Sequence, residues 1–456
     1  MTKNGGILFE MTTEKEWENL SQEEKQERRF ETWLSGKGIP FEGPEAEEKY
    51  RERVTLIKDA VQMKKTPRRV PVCPSPGHFP LEYAGVKFYD AMYDSKALSH
   101  AWKKFYEDFS PDTFSGSMIG SGKLLELLDC KVYRWAGHGV AKEHEYQFVE
   151  GEYMKAEEYE DLIGDPSGFH LSTYLPRICG ALKPFEMISP LVHLRHMSSM
   201  TGGALPFSTP DFQEALKLLM EAGAEASRWI TSGRELNATI MGRGYPSMSG
   251  GIAEAPFDIV GDSYRGTRGI MLDMHRHPDK LLEACEVFVR PTIKRGVTAG
   301  KISGNPLIFM PLHKGADAFM SKEQYREFYW PTLRKVLIGL IDEGMVPLVF
   351  AEADYESRLE IISDLPENKT IWWFERMDMA RAKETVGKVA CIAGNVSNAL
   401  LRAGTPEDIK ACCKNLIDVA GKGGGFILST AAGLQGAKPE NVRALIDFSK
   451  EYGVYV

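Results

Sequence analysis

Between Leu307 and Val456 the chain repeats one pattern: a short apolar run, a polar tip, then an amphipathic stretch with its own start signals. The runs are LIFMPLHKG (307–315), PLVFAEAD (347–354), TIWWFERMD (370–378), VACIAGNV (389–396) and GFILSTAAG (425–433). Each is apolar on both alternating faces, as a strand must be when helices cover a parallel sheet. The pattern predicts successive βα units and an α/β fold, a (β/α)8 TIM barrel. An open doubly wound sheet, or a separate C-terminal domain beginning near residue 300, would be the outcomes that refute it.

Start signals fix the direction of each unit. Ser321 and Gln324 in MSKEQY fit a capping box, and Thr405-Pro406-Glu407-Asp408 puts Thr at the cap, Pro at the first helical position and acids in the first turn. With strands leading into helices, the polar tips lie at the C-terminal rim, where barrels of this kind place their chemistry. Those tips read His313, Glu352 with Asp354, Glu375 with Arg376, Gly394 with Asn395, and Ser429 with Thr430.

The chain has 456 residues, 43 % of them hydrophobic and 26 % charged, enough for one large barrel with insertions or for two domains. A formal net charge of −8 disfavours a protein that coats nucleic acid. Seven cysteines at 73, 130, 179, 285, 391, 412 and 413 form no CxxC pair and read as reduced thiols, which points to a cytoplasmic protein. No basic-then-apolar signal pattern opens the chain and no run of about 18 apolar residues occurs, so neither secretion nor a membrane span is expected.

Residues 1–66 are dense in Glu, Lys and Arg with Trp17, Leu20, Phe30, Trp33 and Leu34 as anchors, and read as a helical extension packed outside a barrel of residues 67–456, or on a partner subunit. RVPVCPSPG (69–77) and PDTFSGSMIG (111–120) supply the first two barrel strands, and GYPSMSGGI (244–252) the third. Alternation in KVYRWAGHGV and EYQFVEGEYM predicts a β-hairpin inserted between 131 and 154. PDFQEALKLLMEAGAEASRWI (210–230) has helical periodicity, and the Gly-, Asp- and Arg-rich stretch 254–278 reads as a long loop forming a lid over the strand ends.

Several strings resolve to structural roles. GSGKLL (120–125) lacks the first Gly and the Ser or Thr of a phosphate loop, and GKGGGF (421–426) precedes its strand, so it is a tight turn and not a dinucleotide fingerprint. LVHLRHM spaces His193 and His196 as metal ligands on a helix face can be spaced, and reads more simply as an exposed helix edge. Cys412 and Cys413 diverge on their helix and read as core residues.

The strand-end set is different, because its members converge only in a barrel. His313, Glu352 and Glu375 are the candidate catalytic residues; together they could hold a divalent metal such as zinc, acting as a Lewis acid, or serve as proton donors. Arg376, Asn395, Thr430 and Trp372 are the candidate substrate-binding residues. Trp372 and Trp373 alternate along their strand, so one faces the pocket and the other the helices.

The C-terminal half resembles the uroporphyrinogen decarboxylase superfamily of (β/α)8 barrels, which also contains corrinoid-dependent methyltransferases. The matching strings are FMSKEQYREFYWPTLRKVL (319–337), CIAGNVSNALLRAGTPEDI (391–409), GGGFILSTAAGL (423–434) and KPENVRALIDFSKEYGVY (438–455). Three departures decide what the resemblance implies. Where true decarboxylases carry an Arg-rich first motif, this chain has PVCPSPGHF and DTFSGSMIG with no Arg, so a polyanionic porphyrinogen would lack counter-charges. Where methyltransferases acting on coenzyme M hold zinc through His and Cys, it has FAEAD (350–354) and LSTAAG (428–433). Finally DMHRHP (273–278) resembles the DxHxxG string of corrinoid-binding proteins, but Pro278 stands at the Gly position and starts a helix with His277 at its cap.

The resemblance therefore implies a methyltransferase that takes a methyl group from a small O-methyl or N-methyl substrate and gives it to the cobalt of a corrinoid supplied by a partner protein. The alternatives are a lyase that decarboxylates a small acid held by Arg376, or a barrel without chemistry that serves as a binding subunit. A homodimer is left open.

Overall fold

The computed structural model describes residues 14–455, so the first 13 residues of the 1–66 extension lie outside the described residues. Six parallel strands run in spatial order Gly251–Ile252, Leu307–Leu312, Val346–Asp354, Ile371–Arg376, Cys391–Val396 and Phe426–Thr430. Two short segments close them into a ring. Val72 bridges Leu428 in parallel and Phe114 bridges Ser247. Asp112 N–H donates to the Val72 carbonyl at 2.9 Å, joining the two segments. The result is the eight-stranded (β/α)8 barrel, with RVPVCPSPG and PDTFSGSMIG as its first two strands.

The expected caps form. Ser321 and Gln324 bond reciprocally, as do Thr405 and Asp408 with Pro406 at the first helical position. Gly423, Gly424 and Gly425 all have positive φ (76°, 81° and 66°), which only glycine adopts without strain, so GKGGGF is the tight turn into the last strand. His277 caps the helix Pro278–Ser303.

The period of two sorts strand residues into an outer and an inner layer. Ile308, Met310, Leu312, Val349, Ala351, Trp372, Phe374, Ile392 and Leu428 belong to the core shared with the surrounding helices. Leu307, Leu348, Phe350, Ile371, Trp373, Cys391, Ala393 and Ile427 pack inside the barrel.

The N-terminal helices Gln22–Ser35 and Pro44–Gln62 are part of that inner cluster. Phe30, Trp33, Tyr50, Val54, Ile57 and Val61 meet Leu307, Val346, Ile371 and Cys391, the residues that begin their strands. The two helices thus fill the bottom of the barrel, a place more intimate than the outer wall expected for them. Above this floor Arg69 makes a bidentate pair with fully buried Asp112, at 2.6 and 2.7 Å, and Lys450 stands 3.5 Å from the same carboxylate.

Between the second and third strands lies an insertion. It holds the expected hairpin, Tyr133–Ala136 antiparallel to Gln147–Phe148, then a run of short helices and the 33-residue helix Pro210–Gly242. His193 closes one short turn while His196 precedes the helix Met197–Ala204, and both are exposed, so they share no helix face. Cys413 is buried and Cys412 half-buried.

The stretch 254–278 is not a loop. It folds as Pro256–Asp258, a π-helical turn Ile259–Arg265 and the helix Gly266–Arg276. Its buried charges are paired: Arg265 Nε lies 2.5 Å from Asp273, Arg265 also meets Glu152, and Asp258 and Asp262 bond to residues beyond the stretch. Gly, Asp and Arg, which suggest a lid in sequence, here pay for packing against the barrel through paired charges.

Candidate active site

Continuing the inner series upward past the apolar layer gives the site. Pro311, Phe350, Trp373, Ala393 and Ile427 are in register across five strands. Two residues further on, about 6–7 Å nearer the C-terminal mouth, come His313, Glu352, Glu375, Asn395 and Ser429. Below them Phe350 and Trp373 lie 4.3 Å apart by ring centroid, with Phe309 6.4 and 6.3 Å from the two.

His313 is held from three directions. Its Nδ1 lies 2.6 Å from an Asp262 carboxylate oxygen, its Nε2 faces Glu352 at 3.8 Å, and its backbone N–H donates to Asp258 at 2.9 Å. The hydrogen bond to Asp262 raises the imidazolium to about 9, against the downward pull of burial, and the charges of Asp258 and Glu352 add to the rise. His313 is therefore a cation at neutral pH, with Nε2–H aimed at Glu352.

Asp258 is a buried carboxylate with three donors: the backbone N–H of His313, that of Lys314 at 3.0 Å, and the Tyr329 hydroxyl at 2.7 Å. Burial pushes it up to about 6, with His313 pulling it down and Asp262 pushing it further up. Burial also pushes Asp262 up, but its bonds to His313 and Lys314 more than offset this and hold it below the usual carboxylate range. Lys314 Nζ sits 2.7 Å from the second Asp262 oxygen.

Glu352 has the least support. Burial raises it to about 6; His313 pulls it down and the neighbouring Glu375 pushes it up. Glu375 accepts the backbone N–H of Ala353 at 2.6 Å. Ala353 has a φ of 62°, a left-handed conformation uncommon for residues other than glycine, where the register of this strand breaks between Ala351 and Asp354. Glu375 thus ties down the irregular strand end that carries Glu352.

The barrel brings together His313, Glu352, Glu375 and Asn395, whose Nδ2 donates to the Met377 carbonyl at 3.0 Å. It does not bring in the other three. Arg376 follows Glu375 by one residue, so it points away from the interior, and it is exposed beside Asp354. Thr430 is buried, its hydroxyl spent on the Ala432 carbonyl at 2.5 Å and on the Ser75 N–H at 3.2 Å. Trp372 lies wholly buried among the helices, and Trp373 is the tryptophan that faces the barrel interior, its Nε1 donating to the Thr430 carbonyl at 2.8 Å.

No metal group is already assembled among these side chains, although Nε2 of His313 and the free carboxylate oxygens of Glu352 and Glu375 face the mouth. Nδ1 of His313 is held by Asp262 and one oxygen of Glu375 by Ala353, and among the described residues no three His, Cys, Asp or Glu side chains lie close enough together to form a metal-holding group. Sequence reasoning missed Asp258, Asp262, Lys314 and Tyr329. The available signal was the spacing of Asp258 and Asp262, four apart, which puts both on one face of a helical turn.

Residues 247–452 match the family described as Uroporphyrinogen decarboxylase (URO-D). A uroporphyrinogen decarboxylase of Aromatoleum aromaticum (strain DSM 19018 / LMG 30748 / EbN1) is 32 % identical over 133 residues, which are 28 % of this chain and 36 % of that protein. The chain thus spans about a third of that relative's length. A methyltransferase from Methanosarcina mazei has a similar fold, with a TM-score of 0.56 and 17 % identity over 89 % of this chain and 98 % of that one. The segment that carries His313, Glu352 and Glu375 is therefore the part of the chain that is similar to the uroporphyrinogen decarboxylase family.

Proposed function

We propose that this chain is a methyltransferase that moves a methyl group from a small O-methyl or N-methyl compound to the cobalt of a separate corrinoid protein. The observation that carries the reading is the composition of the mouth: a histidine and two carboxylates over an aromatic floor, with no Arg beside them on the inner face of these strands among the described residues. The fold shared with a methyltransferase from Methanosarcina mazei supports it. A porphyrinogen, with its many carboxylates, would need basic residues here, and the Arg nearest the first strand, Arg69, is consumed by Asp112 near the bottom of the barrel.

The corrinoid would be the partner's, presented at the open mouth, where the side chains of His313 and Glu352 are 44 % and 38 % exposed. When bound it supplies a low-valent cobalt nucleophile for the methyl carbon. This chain's residues govern the leaving atom. An O-methyl donor leaves an alkoxide or phenolate that takes a proton from Glu352 or from Nε2–H of His313. A quaternary N-methyl donor leaves as a neutral amine and takes none; the carboxylates then act as its counter-charge. Asp262 holds the imidazole ring, and Asp258 fixes the height of the strand end beneath it.

A second reading, decarboxylation of a small acid, is favoured by the relative in Aromatoleum aromaticum. The outward Arg376 weakens it. Mixing the protein with a reduced corrinoid partner and a panel of methoxylated and methylated-amine compounds tests the two together. Loss of the low-valent cobalt absorbance with at least one compound is expected; silence with a competent partner, and carbon dioxide release from a small acid, would transfer the chain to the lyases.

A further inference from the structure

We propose that the donor's methyl group is carried on a cationic nitrogen, a quaternary or protonated N-methyl ammonium, seated between the Glu352–Glu375 layer and the Trp373–Phe350–Phe309 floor. The inference rests on the methyltransferase reading and narrows it.

Charge is the first argument. Around the mouth stand two cations, His313 and Lys314, and four carboxylates, Asp258, Asp262, Glu352 and Glu375. Both cations face Asp262, at 2.6 and 2.7 Å. Among the described residues the nearest charged partner of Glu352 is His313 at 3.8 Å, and a second carboxylate sits beside it. The four carboxylates outnumber the two cations even with His313 facing Glu352, and a half-buried site with that excess is stabilised by a bound cation and opposed by an anion.

The floor is the second argument. In register two residues beneath Glu352 and Glu375 lie Phe350 and Trp373, with Phe309 completing a three-ring cluster. The electron-rich faces of aromatic rings attract tetraalkylammonium groups, whose methyls shed their water readily. A methoxy group gains only apolar contact from the same floor, and leaves the excess of carboxylates over cations unbalanced. In the transfer, the carbon–nitrogen bond breaks with its electron pair staying on nitrogen as a neutral amine. The methyl carbon bonds to the cobalt nucleophile of the partner, and no proton moves.

The test is calorimetric binding of choline against its neutral isostere 3,3-dimethylbutan-1-ol to the intact protein. Choline should bind at least about 10-fold more tightly. Glu352→Gln and Glu375→Gln should each weaken choline several-fold without affecting the isostere, and Trp373→Leu should weaken it by about 2- to 30-fold, the range of one cation–aromatic contact. Phe350→Leu serves in its place if Trp373→Leu does not fold. Equal binding of the two compounds, or choline affinity indifferent to both Gln variants, overturns the inference. Methyl transfer from a methoxylated compound without choline binding would sink the inference and leave the methyltransferase standing. Choline binding with no transfer from any N-methyl donor to a competent partner would keep the cation site and sink the methyltransferase.

Discussion

His313 and Asp262 meet at 2.6 Å across 51 residues of chain, a strand end gripped by a π-helical turn. The contact fixes both the orientation and the charge of the imidazole, because an imidazolium that donates to a carboxylate from Nδ1 must present its second N–H on the opposite side, toward Glu352.

Replacing that carboxylate should discharge the ring. In Asp262→Asn the His313 pKa is expected to fall from about 9 toward its ordinary value of 6.5, read by NMR titration of the imidazole. A midpoint still near 9 would show that Asp258 and Glu352 alone hold the charge. Because the folded pKa is raised, the stability this group gives the native chain is complete below about pH 6.5 and is lost as pH rises through about 9.

Glu352 works in the other direction. Its folded pKa, about 6 against an ordinary 4.5, means that the folded chain binds more protons than the unfolded one between those values, so stability falls as pH rises through that window and stays lower above it. Glu352→Gln should therefore raise the melting temperature by about 1 °C at pH 8 and leave it unchanged at pH 4. A drop at pH 8 would mean that the ionised side chain has a stabilising partner.

The pair near the bottom is structural. Asp112 is fully buried, which pushes its pKa up, yet Arg69 and Lys450 more than offset this and bring it down to about 2. Asp112→Ala leaves the Arg69 guanidinium unpaired in the interior and should cost about 3–5 kcal/mol in urea unfolding. In the native chain the contribution is present above about pH 3.8 and is lost as pH falls through about 2. A cost under about 1 kcal/mol would show that water reaches Arg69 once the carboxylate is gone.

The two adjacent tryptophans should separate stability from binding. Trp372→Ala empties a fully buried site and should cost about 3–5 kcal/mol. Trp372→Phe should cost far less, since the Trp372 Nε1 is buried without a hydrogen-bond partner. Neither change should alter ligand affinity once the protein is folded. Differential scanning fluorimetry alongside choline titration checks this, and an affinity change in Trp372→Phe would place that ring nearer the pocket than its outer position implies.

Much of this was legible in the sequence because the strands are regular. Period two along TIWWFERMD puts Glu375 inside, and the capping boxes at Ser321 and Thr405 fix strand direction, so His313, Glu352 and Glu375 could be named as one rim. The same period could not choose between Trp372 and Trp373, because both faces of a barrel strand are apolar and only the closure of the ring tells inner from outer. Thr430 was misjudged for a related reason: its polarity serves the turn Ala431–Gly433 and not the mouth. Asp258 and Asp262 stayed hidden because their partners, the His313 backbone and the Tyr329 hydroxyl, are 55 and 71 residues away from Asp258. Local composition reads such a segment as solvated loop; only tertiary partners make burial of its carboxylates tolerable.

The helices beneath the barrel bear on traffic. With Phe30, Trp33 and Tyr50 stoppering the lower end, and three aromatic rings filling the middle, a small molecule reaches His313 and Glu352 from above, and the bulky acceptor of the proposed methyl transfer would have to use the same doorway. Two visitors sharing one doorway queue by size. On the proposed reading the small donor would enter first, the acceptor would seal it in, and the spent amine or alcohol would wait for the acceptor to depart. Turnover under this regime should slow at high acceptor concentration, as acceptor seated on an empty barrel keeps the donor out.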